Sequence, residues 1–188
     1  IVFEIDFAKK VLSNFSEHIF VDHIKDSSKP ETFWFKGFED QSTHSLLYKP
    51  LIENFRKPPL IVRAHSGPTS CFDGSYNPEV QYWTSRGFFV AEVNYGGSSG
   101  FGKAYRERLN CKWGIVDSYD CKALAIKLIK SNKVDSEKIA ILGNSAGGLT
   151  ALNCLLYGSI FKAAICKYPV VDLKDMHYNT HRFEKDYL

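Results

Sequence analysis

Hydrophobic and polar positions alternate differently in two parts of the chain. At the start, Ile1, Phe3, Ile5 and Phe7 alternate with Val2, Glu4, Asp6 and Ala8. That period of two predicts a strand with one apolar side. Ser13-Asn14-Phe15-Ser16 and Asp26-Ser27-Ser28-Lys29-Pro30 read as turns. No helical core face occurs before Glu31, and residues 1–30 fit the end of an all-β module. From Glu31 the period shifts between two and 3.6. Thr32–Phe38 and Ser45–Lys49 are expected to pair as strands around Glu39-Asp40-Gln41-Ser42. Leu60–Ala64 and Phe88–Tyr95 read as further strands. The segment Asp117–Lys130 reads as a helix with Cys121, Leu124, Ala125, Leu128 and Ile129 on one face. A strand over Ile139–Leu142, a helix over Leu149–Tyr157 and a strand over Ala163–Lys167 complete the pattern. Strands alternating with helices predict an α/β fold, with a parallel sheet covered on both faces.

The uncharged run from Ile139 to Phe161 is long enough for a membrane span, and Gly143 with Gly147 forms G-x-x-x-G. Its middle, Gly143-Asn144-Ser145-Ala146-Gly147-Gly148, suits a strand, a turn and a helix better, and no membrane association is expected.

Composition narrows the class. With 188 residues there is room for one domain with a real core, and 44% hydrophobic against 24% charged residues excludes a disordered chain. The net charge of +3 comes from scattered Lys and Arg, so no nucleic-acid footprint is present. Cysteines 71, 111, 121, 154 and 166 form no C-x-x-C pair. They read as five thiols in a reducing, cytoplasmic setting rather than as a disulfide framework or a zinc site. The chain opens on Ile1 rather than Met, as an internal piece would, so the lack of a leader carries no weight. With no zincin histidine pair and no G-x-x-x-x-G-K, neither a metal nor another cofactor is expected.

Chemistry is concentrated in G-x-S-x-G, a pattern expected about 0.06 times by chance in this length. It occurs twice, at Gly143–Gly147 and at Gly96–Gly100. A nucleophile elbow needs a strand, a very tight turn and a helix beginning at once. Ser145 has an apolar strand before it and small residues leading into an apolar helix. Ser98 is followed by Phe101-Gly102-Lys103, where no helical face begins, so residues 96–102 read as a glycine-rich loop. His65-Ser66-Gly67-Pro68 follows the Leu60–Ala64 strand, where a backbone N–H commonly supplies half of an oxyanion hole. Gly67 is the candidate for that half and Ala146 for the other. His65 is expected to shape this loop by hydrogen bonding.

These motifs, in this order, resemble the prolyl oligopeptidase family of serine peptidases, and within it the acylaminoacyl-peptidase and dipeptidyl-aminopeptidase branch. The resemblance runs through Pro59-Leu60-Ile61-Val62, His65–Ser70, Val93–Gly102, Trp113-Gly114-Ile115-Val116-Asp117 with Asp120-Cys121, Gly143–Gly148, and His181-Arg182-Phe183-Glu184 with Tyr187. It implies an α/β-hydrolase fold carrying a β-propeller ahead of it. Residues 1–30 would then be the end of the propeller and a linker, and 31–188 the N-terminal part of the catalytic domain. It also implies Ser145 as nucleophile, the Gly67 and Ala146 amides as oxyanion hole, and a peptide as substrate. Two residues depart from the family pattern. Ser66 stands where the first glycine of His-Gly-Gly-Pro is usual, and Gly96 where the arginine of Asn-Tyr-Arg-Gly is usual.

The family places its triad acid and base on later strands, beyond Leu188, so the 188 residues alone are expected to be inactive. A local triad from Asp172 with His177 or His181 is disfavoured, because Asp172 and His177 share one loop while acid and base normally arrive from separate strand ends. Asp172 reads instead as a helix cap. His18, His23 and His44 precede the serine and are not read as bases. An esterase on the same fold and a catalytically dead homologue serving as a binding module are the alternative functions. The sequence is compatible with a homo-oligomer.

Overall fold

A computed structural model describes residues 3–6, 11–14, 27–156 and 160–179. Ile1, Phe7, His18, His23, Tyr157 and His181 lie outside these, as does most of the segment expected to end a propeller. Strands β1 (Phe3–Asp6) and β2 (Val11–Asn14) form an antiparallel pair with Phe3 opposite Asn14. Ser13 and Asn14 therefore stand in a strand, not in the expected turn.

The remaining six strands form one sheet in the order β3-β4-β6-β5-β7-β8. These are β3 (Glu31–Lys36), β4 (Ser42–Tyr48), β5 (Leu60–Ala64), β6 (Phe89–Asn94), β7 (Ile139–Asn144) and β8 (Ala163–Lys167). Strands β6, β5, β7 and β8 are parallel, while β3 and β4 run antiparallel to their neighbours. The sheet is thus mixed rather than purely parallel, since the first two strands make a hairpin with a short connection. Strand β3 ends two residues earlier than expected, at Lys36, and the Phe38 N–H donates to the Asp120 carboxylate (2.7 Å) instead of joining the ladder.

Helices cover both faces. On one, Leu60, Val62, Phe89, Ala91, Val93, Ile139 and Ile141 pack against α3 (Val116–Lys130) and α4 (Ala146–Leu156). Helix α3 presents Cys121, Leu124, Ala125 and Leu128, spaced three and four residues apart, to this core. The opposite face packs Leu46, Tyr48 and Val90 against Val80 of α1 (Pro78–Thr84). Helix α1 has its own start signal. The Asn77 side chain accepts from the Glu79 and Val80 N–H groups (2.9 and 3.3 Å), and Pro78 takes the first turn. Of two short helices, α2 (Lys103–Arg106) begins directly after the 96–102 loop, and α5 (Leu173–Asn179) takes up most of the Asp172–His177 stretch read as one loop. The run read against a membrane span is β7 followed by α4, and no helix among the described residues is long and apolar enough to cross a membrane. Because β5, β6, β7 and β8 point the same way, their exits gather at one sheet edge, where open α/β sheets hold ligands.

Candidate active site

Ser145 sits between the last residue of β7 and the first residue of α4, at φ 51°. A non-glycine residue in this left-handed region costs roughly 1–3 kcal/mol and persists only where its surroundings impose it. Here they do. The Ser145 N–H donates to the Lys167 carbonyl (3.0 Å), and its carbonyl accepts from Val170 (3.1 Å), Gly148 (2.9 Å) and Leu149 (3.3 Å). The flanking glycines allow the tight approach. A Cβ on Gly143 would lie 1.8 Å from the Gly147 carbonyl oxygen, and one on Gly147 2.3 Å from that of Ala64. Helix α4 begins at Ala146, three residues earlier than its apolar face suggests, so its first N–H groups open directly beside the serine.

A cavity of about 440 Å³ has Ser145 and Ala146 on one wall and Ser66 and Gly67 on another. The three residues singled out from sequence therefore meet at one site. Gly67 adopts φ 65°, which glycine takes without strain, and Ser66, the departure from the double glycine, is solvent-exposed beside it. Trp113, Tyr168, Val170 and Met176 give the cavity an apolar lining. Tyr168, Val170 and Met176 were not anticipated. Their available signal is position, because Tyr168 and Val170 directly follow β8, the strand beside β7, and Met176 lies on α5 just beyond.

The second G-x-S-x-G packs against the loop that carries Gly67. Ser98 is fully buried, and its hydroxyl lies 2.7 Å from Nε2 of His65. Nδ1 of His65 faces the carbonyls of Ser66 and Gly67 (3.2 Å each), which only accept, so Nδ1 carries the proton and Nε2 accepts from Ser98. The imidazole stacks on Tyr95 at 4.1 Å, and burial lowers its pKa to about 4. His65 is therefore a neutral brace for the Gly67 loop. The Ser99 N–H ties the same loop further by donating to the Ser70 carbonyl (2.9 Å). At Gly96, an arginine would run into neighbours, since a Cβ there meets Val116 at 2.8 Å and Arg108 at 3.1 Å. Arg108 fills that space, stacks over Tyr105 and donates to the Ser42 carbonyl (2.9 Å).

Beneath the elbow, Asp117 is fully buried on α3, and the Thr150 hydroxyl of α4 donates to it. Desolvation pushes the Asp117 pKa up to about 6. Asp172 is exposed and caps α5, accepting from the Lys174 and Asp175 N–H groups (2.8 and 3.0 Å). His177 is carried by that helix rather than by a loop, and its side chain lies outside the described residues, as does His181. His44 lies in a buried contact with Asn94 (3.0 Å), away from the serine.

A sheet wrapped by helices, with a strained serine turn at the strand exits, defines the α/β-hydrolase class. The sequence model of the prolyl oligopeptidase family matches residues 74–188, and the chain belongs to that family. It is 30% identical over 159 residues to dipeptidyl-peptidase 5 of Schizosaccharomyces pombe, covering 80% of this chain and 23% of that protein. It is 32% identical over 119 residues to acylamino-acid-releasing enzyme 1 of Oryza sativa subsp. japonica, covering 63% of this chain and 15% of the other. Among solved structures, a mutant of puromycin hydrolase complexed with PGG superposes with a TM-score of 0.85 at 35% identity, covering 98% of this chain and 29% of that one. The chain thus spans less than a third of the length of each of these relatives.

Proposed function

We propose that the complete protein is a serine peptidase that hydrolyses small peptides through an acyl-enzyme on Ser145. The observation that carries this reading is the strained backbone of Ser145 on the wall of a cavity it shares with Gly67. In the reaction, the Ser145 hydroxyl adds to the scissile carbonyl while a histidine from outside the described residues takes its proton. The Gly67 and Ala146 N–H groups receive the oxyanion. The histidine then returns the proton to the departing amine, and water releases the acyl group from Ser145 by the same steps. The peptidase names of the relatives favour amide over ester substrates. Five free thiols suit a cytoplasmic setting.

A fluorophosphonate probe tests the assignment on the complete protein. Labelling is expected on Ser145, to vanish in Ser145→Ala and to persist in Ser98→Ala. The reverse pattern transfers the role to Ser98, and no labelling at all supports the binding-module alternative.

A further inference from the structure

The exit of strand β8 grips Ser145 on both sides, taking its N–H at the Lys167 carbonyl and giving the Val170 N–H to its carbonyl. On the sheet face away from α4, the Lys167 ammonium meets Oε1 of Glu79 at 2.7 Å, in the first turn of α1. The other Glu79 oxygen takes Nη2 of Arg63 on β5 (2.9 Å). Nη1 of Arg63 in turn donates to Glu92 on β6, and the Tyr48 hydroxyl of β4 donates to the same carboxylate (3.0 Å). Arg63 and Glu92 are only 5% and 3% exposed. Five side chains therefore run in series from β4 to β8, rigid at the buried end and terminating on the residue whose carbonyl holds the serine.

A half-exposed Lys–Glu pair contributes less than about 1 kcal/mol to global stability. Glu79, however, is already ordered by buried Arg63, so Lys167 docks against a fixed partner. The effect of the pair is local and falls on the backbone that imposes φ 51° on Ser145. We infer that Lys167 is a positioning residue for Ser145, anchored through Glu79 to the buried Arg63–Glu92 pair. This inference rests on the reading of Ser145 as nucleophile.

The test compares Lys167→Met and Lys167→Arg in the complete protein. It reads kcat and KM on a peptide substrate, the rate of fluorophosphonate labelling with its site mapped by mass spectrometry, and the melting temperature. Lys167→Met is expected to lower both kcat and the labelling rate about tenfold, with KM and melting temperature unchanged. Lys167→Arg, which keeps a cation able to reach Glu79, restores both. An unchanged labelling rate, a loss not restored by arginine, or a rise in KM with kcat intact overturns the inference while leaving Ser145 as nucleophile. Label mapped to another residue in the unaltered protein removes the nucleophile reading and this inference with it.

Discussion

His65 and Asp117 are buried titratable residues close to the candidate site, and their protons respond oppositely to folding. Burial lowers the His65 pKa from 6.5 to about 4. Between those values the unfolded chain holds a proton on this imidazole that the folded chain lacks, so stability rises with pH. Asp117 is raised from 3.8 to about 6. In that window the folded chain holds the extra proton, so stability falls as pH rises. From about pH 4 to 6 the two contributions offset each other, each sloping by about 1.4 kcal/mol per pH unit. Removing either group should expose the other. In urea titrations of the complete protein across this range, Asp117→Asn is expected to steepen the rise of stability with pH. His65→Gln is expected to tilt it the opposite way. Parallel curves for the two variants would show that these groups do not titrate as their burial requires.

Helix α1 supplies Glu79 to the chain of charges under the elbow, and it begins on a single cap. Asn77→Ala removes the acceptor of two N–H groups and should cost about 1 kcal/mol in denaturant unfolding, with Asn77→Asp losing much less. The same helix shows where sequence reading falls short. Asn77-Pro78-Glu79 is a helix start by residue type, yet only Val80 and Thr84 of the helix are buried, too few to produce a visible apolar stripe. By contrast, α3 was legible from its helical apolar face, β5 and β6 as short apolar runs buried throughout, and β8 from alternating burial. The meeting of Ser145, Gly67 and Ala146 was legible because each follows a strand. The cavity residues Tyr168, Val170 and Met176, and the Lys167–Glu79 contact, were not. They depend on which strands become neighbours, and nothing local in the sequence sets the order β5-β7-β8.

Across the whole molecule, the described sheet ends on β8, with Ile165 38% exposed, and beyond it Tyr168, Val171 and Tyr178 are each more than 70% exposed. An apolar edge of this kind invites pairing between chains. Residues 1–188 expressed alone should therefore associate in a concentration-dependent way on size-exclusion chromatography, and Ile165→Lys should reduce that association. A sharp monomer peak at all concentrations without the substitution would count against an adhesive edge. The interior near the serine is different in kind, because Gly147 of α4 lies directly against the Ala64 and His65 carbonyls at the exit of β5. No side chain separates the two segments that carry the candidate oxyanion donors. Their spacing is thus set by main-chain thickness, which mutation does not vary. Descendants of this sequence could exchange core side chains freely without retuning that spacing. Selection for a new substrate would have to act on the rim, where Tyr168, Val170 and Met176 present side chains that can change.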